Sequence, residues 1–332
     1  MMAHFSLRKF IPVLLAFLAL TSCRKAPEWR YTGGAAWGTV FNITYLSDTD
    51  LSDSVTAVMR QVELALSTFD KQSNISAINS GATDTLAPMT YHVFREAKRV
   101  NAISHGAFDP TVAPLVNLWG FGYRTSLDES PDSDRIAAVL ERVGMDACSV
   151  DSVTRVVTRK HRHTEFDFSA IAKGYGVDCV ADMLRRNGCT DFMVEIGGEM
   201  AVAGQNPRGT EWRVQIDSPL SDSVSHAPLR VLPLSDCAVA TSGNYRNYRR
   251  LPDGSIVSHT ISPVTGRPVR SNVLSVTVFA PQCITADALA TAAMVLPLPQ
   301  ARAMLASQPG VRALIAVAPV PGTDSLTVIA VP

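Results

Sequence analysis

The sequence predicts a mixed α+β protein, and three observations carry that reading. Segments with helical apolar spacing are interleaved with short apolar or alternating segments, without the strict alternation of a doubly wound sheet. Of 332 residues, 46% are hydrophobic and 18% charged, which supplies a sizeable core and excludes disorder, collagen and coiled coil. No internal repeat or low-complexity segment interrupts the pattern. The length is compatible with two domains or with one large one. Thirty Lys and Arg balance thirty Asp and Glu, so no net field exists to gather nucleic acid or an anionic surface.

At the N-terminus His4, Arg8 and Lys9 precede an apolar run from Phe10 to Leu20 that is too short to span a bilayer, the pattern of a signal peptide over residues 1–22. It ends Leu20-Thr21-Ser22-Cys23, which resembles the bacterial lipobox, and Cys23 is the expected lipidation site. Several acyl chains on one cysteine would hold an exported domain at a membrane. Five further cysteines, Cys148, Cys179, Cys189, Cys237 and Cys283, form no Cys-x-x-Cys pair and read as buried free thiols rather than a disulfide framework or zinc site.

Residues 23–36 read as anchor and polar linker, and Thr39 to Leu46 alternates as a first strand. Helical spacing of Val55, Val58, Met59, Val62, Leu66 and Phe69 predicts a helix from Ser52 to Phe69. Further helices are expected over 90–104, 133–143 and 172–187, the last stopped by Gly188. Short strands follow at 191–196, 199–203, 212–216, 238–241, 256–261 and 273–280. Helices at 286–296 and 299–307 precede strands at 312–318 and 326–331.

Five segments carry chemistry. The run from Gly106-Ala107-Phe108-Asp109 to Trp119-Gly120-Phe121-Gly122 reads as a loop that approaches a ligand, with Phe108, Trp119 and Phe121 as a stacking wall, or as a plug in the core. Asp167 to Tyr175 opens a helix whose free amides and Lys173 suit an anion, without a Walker spacing; otherwise Lys173 is a solvated helix residue. Gly197-Gly198 is above all a hairpin signal. His259, placed inside a strand before the Pro263 to Gly266 turn, is either a proton acceptor or a packing residue. Asp287 and Thr291, four apart on a helix, put two oxygens on one face, able to share a hard cation such as magnesium or to serve as cap and buried threonine.

Taken in order, Trp37-Gly38-Thr39, Ser67-Thr68-Phe69, Ser73, Asn79, Gly-Ala-Phe-Asp, Ala-Lys-Gly-Tyr, the double glycine, Thr241-Ser242-Gly243, the His-to-Thr-Gly turn and Thr285-Ala286-Asp287 resemble the FAD:protein FMN transferase (ApbE-like) family. The resemblance implies a T-fold-related α+β architecture over residues 37–332. It implies magnesium-dependent transfer of FMN from FAD to a Thr or Ser hydroxyl of an exported redox partner carrying a Ser/Thr-Gly-Ala-Thr-like segment. It marks Trp37, Phe69, Ala107, Phe108, Asp109, Asp167, Lys173 and Ile261 as FAD contacts, and Asp287, Thr291 and the backbone oxygen of Ala170 as metal ligands. His259 is the candidate base and Lys173 the candidate stabiliser of diphosphate charge. The chain departs from the family at Ser262, where Asp or Asn is common, and at Ser169-Ala170, where a glycine pair is frequent. Hydrolysis of FAD to FMN and AMP, or FAD binding without catalysis, are the rival functions. Ser80-Gly81-Ala82-Thr83 looks like part of the acceptor segment, and reads as a plain surface loop with self-modification as the alternative.

Overall fold

The computed structural model describes residues 26–122, 130–221, 227–243, 248–250, 256–319 and 326–332. Cys23 and the signal segment lie outside the described residues. An eight-stranded antiparallel sheet runs in the order β1-β2-β5-β6-β9-β12-β13-β14. Its strands are β1 (Glu28–Ala36), β2 (Thr39–Ser47), β5 (Phe192–Ile196), β6 (Glu199–Ala203), β9 (Cys237–Gly243), β12 (Val273–Ala280), β13 (Arg312–Val317) and β14 (Thr327–Val331). Two-residue strands β3 (Ser149–Val150) and β4 (Val157–Thr158) pair with each other. Ribbons β7 (Trp212–Asp217) with β8 (Pro228–Leu234), and β10 (Tyr248–Arg250) with β11 (Ile256–Ser258), are separate from the large sheet. The helices are α1 (Ser52–Leu66), α2 (Asn74–Ser80), α3 (Pro88–Ile103), α4 (Ala113–Leu118), α5 (Ser133–Leu140), α6 (Ser169–Arg186), α7 (Cys283–Val295) and α8 (Leu298–Ala306).

Period-two alternation sorts the sheet into two faces. Ala240, Val276, Val278 and Ile315 belong to the helix-side core with Ile284, Leu289 and Met294 of α7. Val202, Val239, Phe279 and Leu314 point the other way, onto Trp212, Val214 and Ile216 of the β7–β8 ribbon. The segment predicted as a linker is instead partly strand: Glu28–Ala36 pairs with β2 along its whole length, and the turn is made by Trp37 and Gly38 at positive φ. β8 carries Pro228 and Pro233, which hide it from strand scanning, and it survives as a strand because, among the described residues, only β7 pairs with it.

Two helix boundaries place residues at the cavity end of the sheet. α1 stops at Leu66 rather than Phe69: Ser67 is extended, and its hydroxyl accepts from the amides of Phe69 and Asp70, turning Phe69 out of the helix. α7 begins at Cys283, three residues before the expected start, because Asp178 of α6 supplies its cap. Asp178 Oδ1 accepts from Cys283 N and Oδ2 from Ile284 N, each at 2.8 Å. A capping side chain normally sits beside the helix it caps; this one is far upstream in the sequence.

The five cysteines that follow Cys23 are all free, and burial raises the pKa of each thiol. The acceptor-like segment is the end of α2, where Gly81 caps the helix at φ +77°.

Burial pushes the Asp178 carboxyl up to about 6 from an ordinary value near 3.8, against the two amide bonds that lower it. A raised acid favours the folded state when protonated, so this contribution is full below pH 3.8 and is lost as pH rises through about 6. Denaturant unfolding across that window is expected to show wild type losing stability relative to Asp178→Asn as pH rises; parallel profiles would remove the carboxyl from the pH dependence.

Candidate active site

A cavity of about 850 Å³ opens at one end of the sheet, within the range of small-ligand pockets. Different elements contribute its walls. Phe69 stands at the rim, 74% exposed, where the end of α1 releases it. Ala107, Phe108 and Asp109 come from the loop after α3, Asp167 and Ala170 from the start of α6, and Ile261 with His259 from the segment after β11. Asp287 and Thr291 of α7 and Lys173 of α6 complete the cavity side of the two packed helices.

Gly174 makes that arrangement possible. A Cβ there would collide with the carbonyl of Cys283 and sit 2.8 Å from Asp287 Cβ, so α6 and α7 touch through backbone. The Gly174 amide donates to Asp287 Oδ2 at 3.0 Å, which fixes a carboxylate that is only 3% exposed. One turn further, Thr291 Oγ1 lies 3.1 Å from Ser242 Oγ of β9.

Lys173 is half-buried and paired rather than free. Its Nζ lies 2.6 Å from Glu199 Oε1, at the first residue of β6, and the Glu199 side chain is 4% exposed. Burial works against the ammonium, but Asp287 and Glu199 outweigh it and hold Lys173 charged, above the ordinary lysine range. Burial pushes Glu199 up to about 7, with Asp287 adding to the rise and Lys173 opposing it. Glu199 Oε2 is buried without a hydrogen-bond partner.

Sequence reasoning missed Glu199 as a site residue. Its one signal is its place directly after the hairpin turn, where Gly197 and Gly198 take φ of +63° and +96°, as a two-residue hairpin requires.

Other expectations are redrawn. Trp37 is not among the lining residues; its ring packs where a side chain on Gly176 of α6 would be. Asp109 lines the cavity, yet both oxygens are taken: Oδ1 accepts from the Thr111 amide and hydroxyl, and Oδ2 from Met145 N at 2.9 Å. It braces the loop, and burial raises its pKa despite those bonds. Trp119 is 4% exposed and forms no stacking wall; its Nε1 donates to Gly266 O at 2.7 Å, tying the loop to the turn after His259. Phe108 is 3% exposed, so little of its ring is available to a ligand. His259 lies in a bend one residue past β11 rather than inside a strand, near Phe121 with ring centroids 6.4 Å apart.

The ApbE family pattern matches residues 37–315, more than half of the chain. The chain belongs to the ApbE family. An FAD:protein FMN transferase of Vibrio cholerae is 38% identical over 299 residues, covering 87% of this chain and 88% of the relative. One of Haemophilus influenzae is 33% identical, with 87% and 88% covered. The solved ApbE flavin transferase of Vibrio cholerae superposes with a TM-score of 0.80 at 34% identity, covering 92% of this chain and 97% of that one. The apo flavinyl transferase of Pseudomonas stutzeri gives 0.79 at 30% identity, with 92% and 95% covered. The α+β architecture of this chain is thus the ApbE architecture.

Within this ApbE chain the helix contact is testable. Gly174→Ala is expected to cost about 1–3 kcal/mol in chemical denaturation, the usual penalty for overpacking. A stability unchanged from wild type would show that α6 and α7 can part without loss.

Proposed function

We propose that the chain transfers FMN from FAD to a Thr or Ser hydroxyl of an exported partner protein, releasing AMP, with magnesium bound in the cavity. The observation that carries the reading is the convergence on one cavity of Asp287, Thr291 and Ala170 with Lys173, His259 and the exposed ring of Phe69.

The donor chemistry fits magnesium. Asp287 offers a carboxylate, Thr291 a hydroxyl and Ala170 a main-chain carbonyl, all hard oxygens. Three protein oxygens leave room for water and substrate phosphate, the usual company of this ion. When bound, magnesium offsets diphosphate charge during phosphoryl transfer.

The chain's own residues have separable tasks. Phe69 presents a face for stacking of the flavin ring. Lys173, held charged beside Glu199, faces the diphosphate as a fixed positive group. His259 accepts the proton of the acceptor hydroxyl as its oxygen bonds to the FMN phosphorus and the bond from that phosphorus to the bridging oxygen breaks, with AMP carrying the bridging oxygen away. Loop 107–112, braced by Asp109, closes the cavity beside them.

The segment ending at Cys23 supports a lipid anchor, with the body on the exported side of a bacterial membrane. β1 begins five residues after Cys23, so such a tether would be short. An acceptor presenting a Ser/Thr-Gly-Ala-Thr-like segment is the expected partner.

The test is the intact mass of such an acceptor domain after incubation with the chain, FAD and magnesium, with AMP followed in parallel. A gain of one FMN residue that disappears without magnesium is expected; AMP release without modification would instead indicate hydrolysis. Asp287→Ala is expected to abolish magnesium-dependent turnover, and unchanged turnover would sink the metal assignment. His259→Ala is expected to slow transfer about 100-fold or more while FAD binding survives. Lost FAD binding would move His259 from chemistry to recognition.

A further inference from the structure

Glu199 is a buried charged group to which the reaction assigns no step of its own. The hairpin turn at Gly197 and Gly198 delivers it to the cavity wall, where it is 3% exposed. One oxygen holds Lys173 at 2.6 Å and the other is buried without a partner. Lys173 feels a second anion as well, Asp287 of α7. The two carboxylates therefore approach consecutive residues of α6 from different elements: Glu199 from the sheet onto Lys173, Asp287 from the neighbouring helix α7 onto the amide of Gly174.

A partly buried ammonium needs a counter-ion, and a lysine has the stem length to choose between two. If Lys173 paired with Asp287, it would occupy the carboxylate assigned to the cation and place a positive charge beside it. We propose that Glu199 is a positioning residue that draws Lys173 onto β6 and so leaves Asp287 free to receive a divalent cation. The inference rests on the reading of Asp287 as the cation's carboxylate. It gives the first residue of an interior strand a task in cation loading, carried out through a side chain that need not touch the ion.

Glu199→Gln keeps the shape and removes the charge. Mn2+ alone is titrated into wild type and variant, with free Mn2+ read by electron paramagnetic resonance, and the cation-free variant is crystallised. The expected results are Mn2+ binding weaker by about tenfold to hundredfold, the range for residues that orient a metal site, and Lys173 Nζ relocated onto Asp287. Unchanged affinity overturns the proposal. So does weaker binding with Lys173 still at residue 199, which would make Glu199 act on the ion directly.

The double variant Glu199→Gln, Lys173→Met removes both partners and keeps the test available if the single variant fails to fold. With the competitor gone, its Mn2+ affinity is expected to match or exceed that of wild type; a weaker affinity overturns the proposal. Absence of Mn2+ binding by wild type would overturn the reading of Asp287 itself, whereas equal binding by wild type and Glu199→Gln would overturn only the role of Glu199.

Discussion

Everything at the cavity depends on two helices meeting without a side chain between them. Where α6 crosses α7, Gly174 leaves backbone against backbone, and each helix then completes the other. Asp178 of α6 satisfies the first amides of α7, and Asp287 of α7 accepts from an amide of α6. These are exchanges of polar groups across an otherwise apolar contact, where an unmet donor would cost about 1–3 kcal/mol. α7 can be apolar on nearly every side because it is enclosed by α6, the sheet and α8. Asp287 is the charged exception, and its orientation is set by the contact that buries it.

The electrostatics have the same origin. Two carboxyl groups and one ammonium are gathered at the cavity wall, where burial raises the Glu199 carboxyl and the two acids together hold Lys173 charged. Such an arrangement is poor as pure scaffolding, because buried ion pairs seldom repay their desolvation. Under the proposed function the same cluster serves as a receptor, with Asp287 offered to a hard cation and Lys173, steadied by Glu199, offered to the diphosphate.

The architecture was largely legible in the sequence because its elements follow their periods. β12 is buried on both faces and reads as an apolar strand interrupted only by Ser275 and Thr277, while α1 and α6 show helical spacing. The misreadings fall where a distant partner decides. β1 lacks strand character at Gly33 and Gly34 and exists through its pairing with β2. α7 starts early because of Asp178, and β8 tolerates its prolines at an edge. The site was legible mostly as a set of family motifs, and eleven of the twelve ligand, metal and proton-transfer positions named from sequence do line the cavity. What motifs cannot express is which polar atoms are already engaged. Asp109 is occupied by its own loop, Trp119 by Gly266, and Lys173 by a glutamate whose sequence context announces only a turn.

The cavity draws its walls from Phe69 at one extreme of the chain order to Val295 at the other, with no contiguous stretch sufficient by itself. Asp287 and Thr291 belong to α7, near the end of the polypeptide. A chain lacking everything from Cys283 onward would hold most of the lining residues but neither Asp287 nor Thr291. Under the proposed function the cation site would therefore be the last part of the cavity to be completed. A chain exported unfolded, as that proposal has it, would meet its nucleotide only after export.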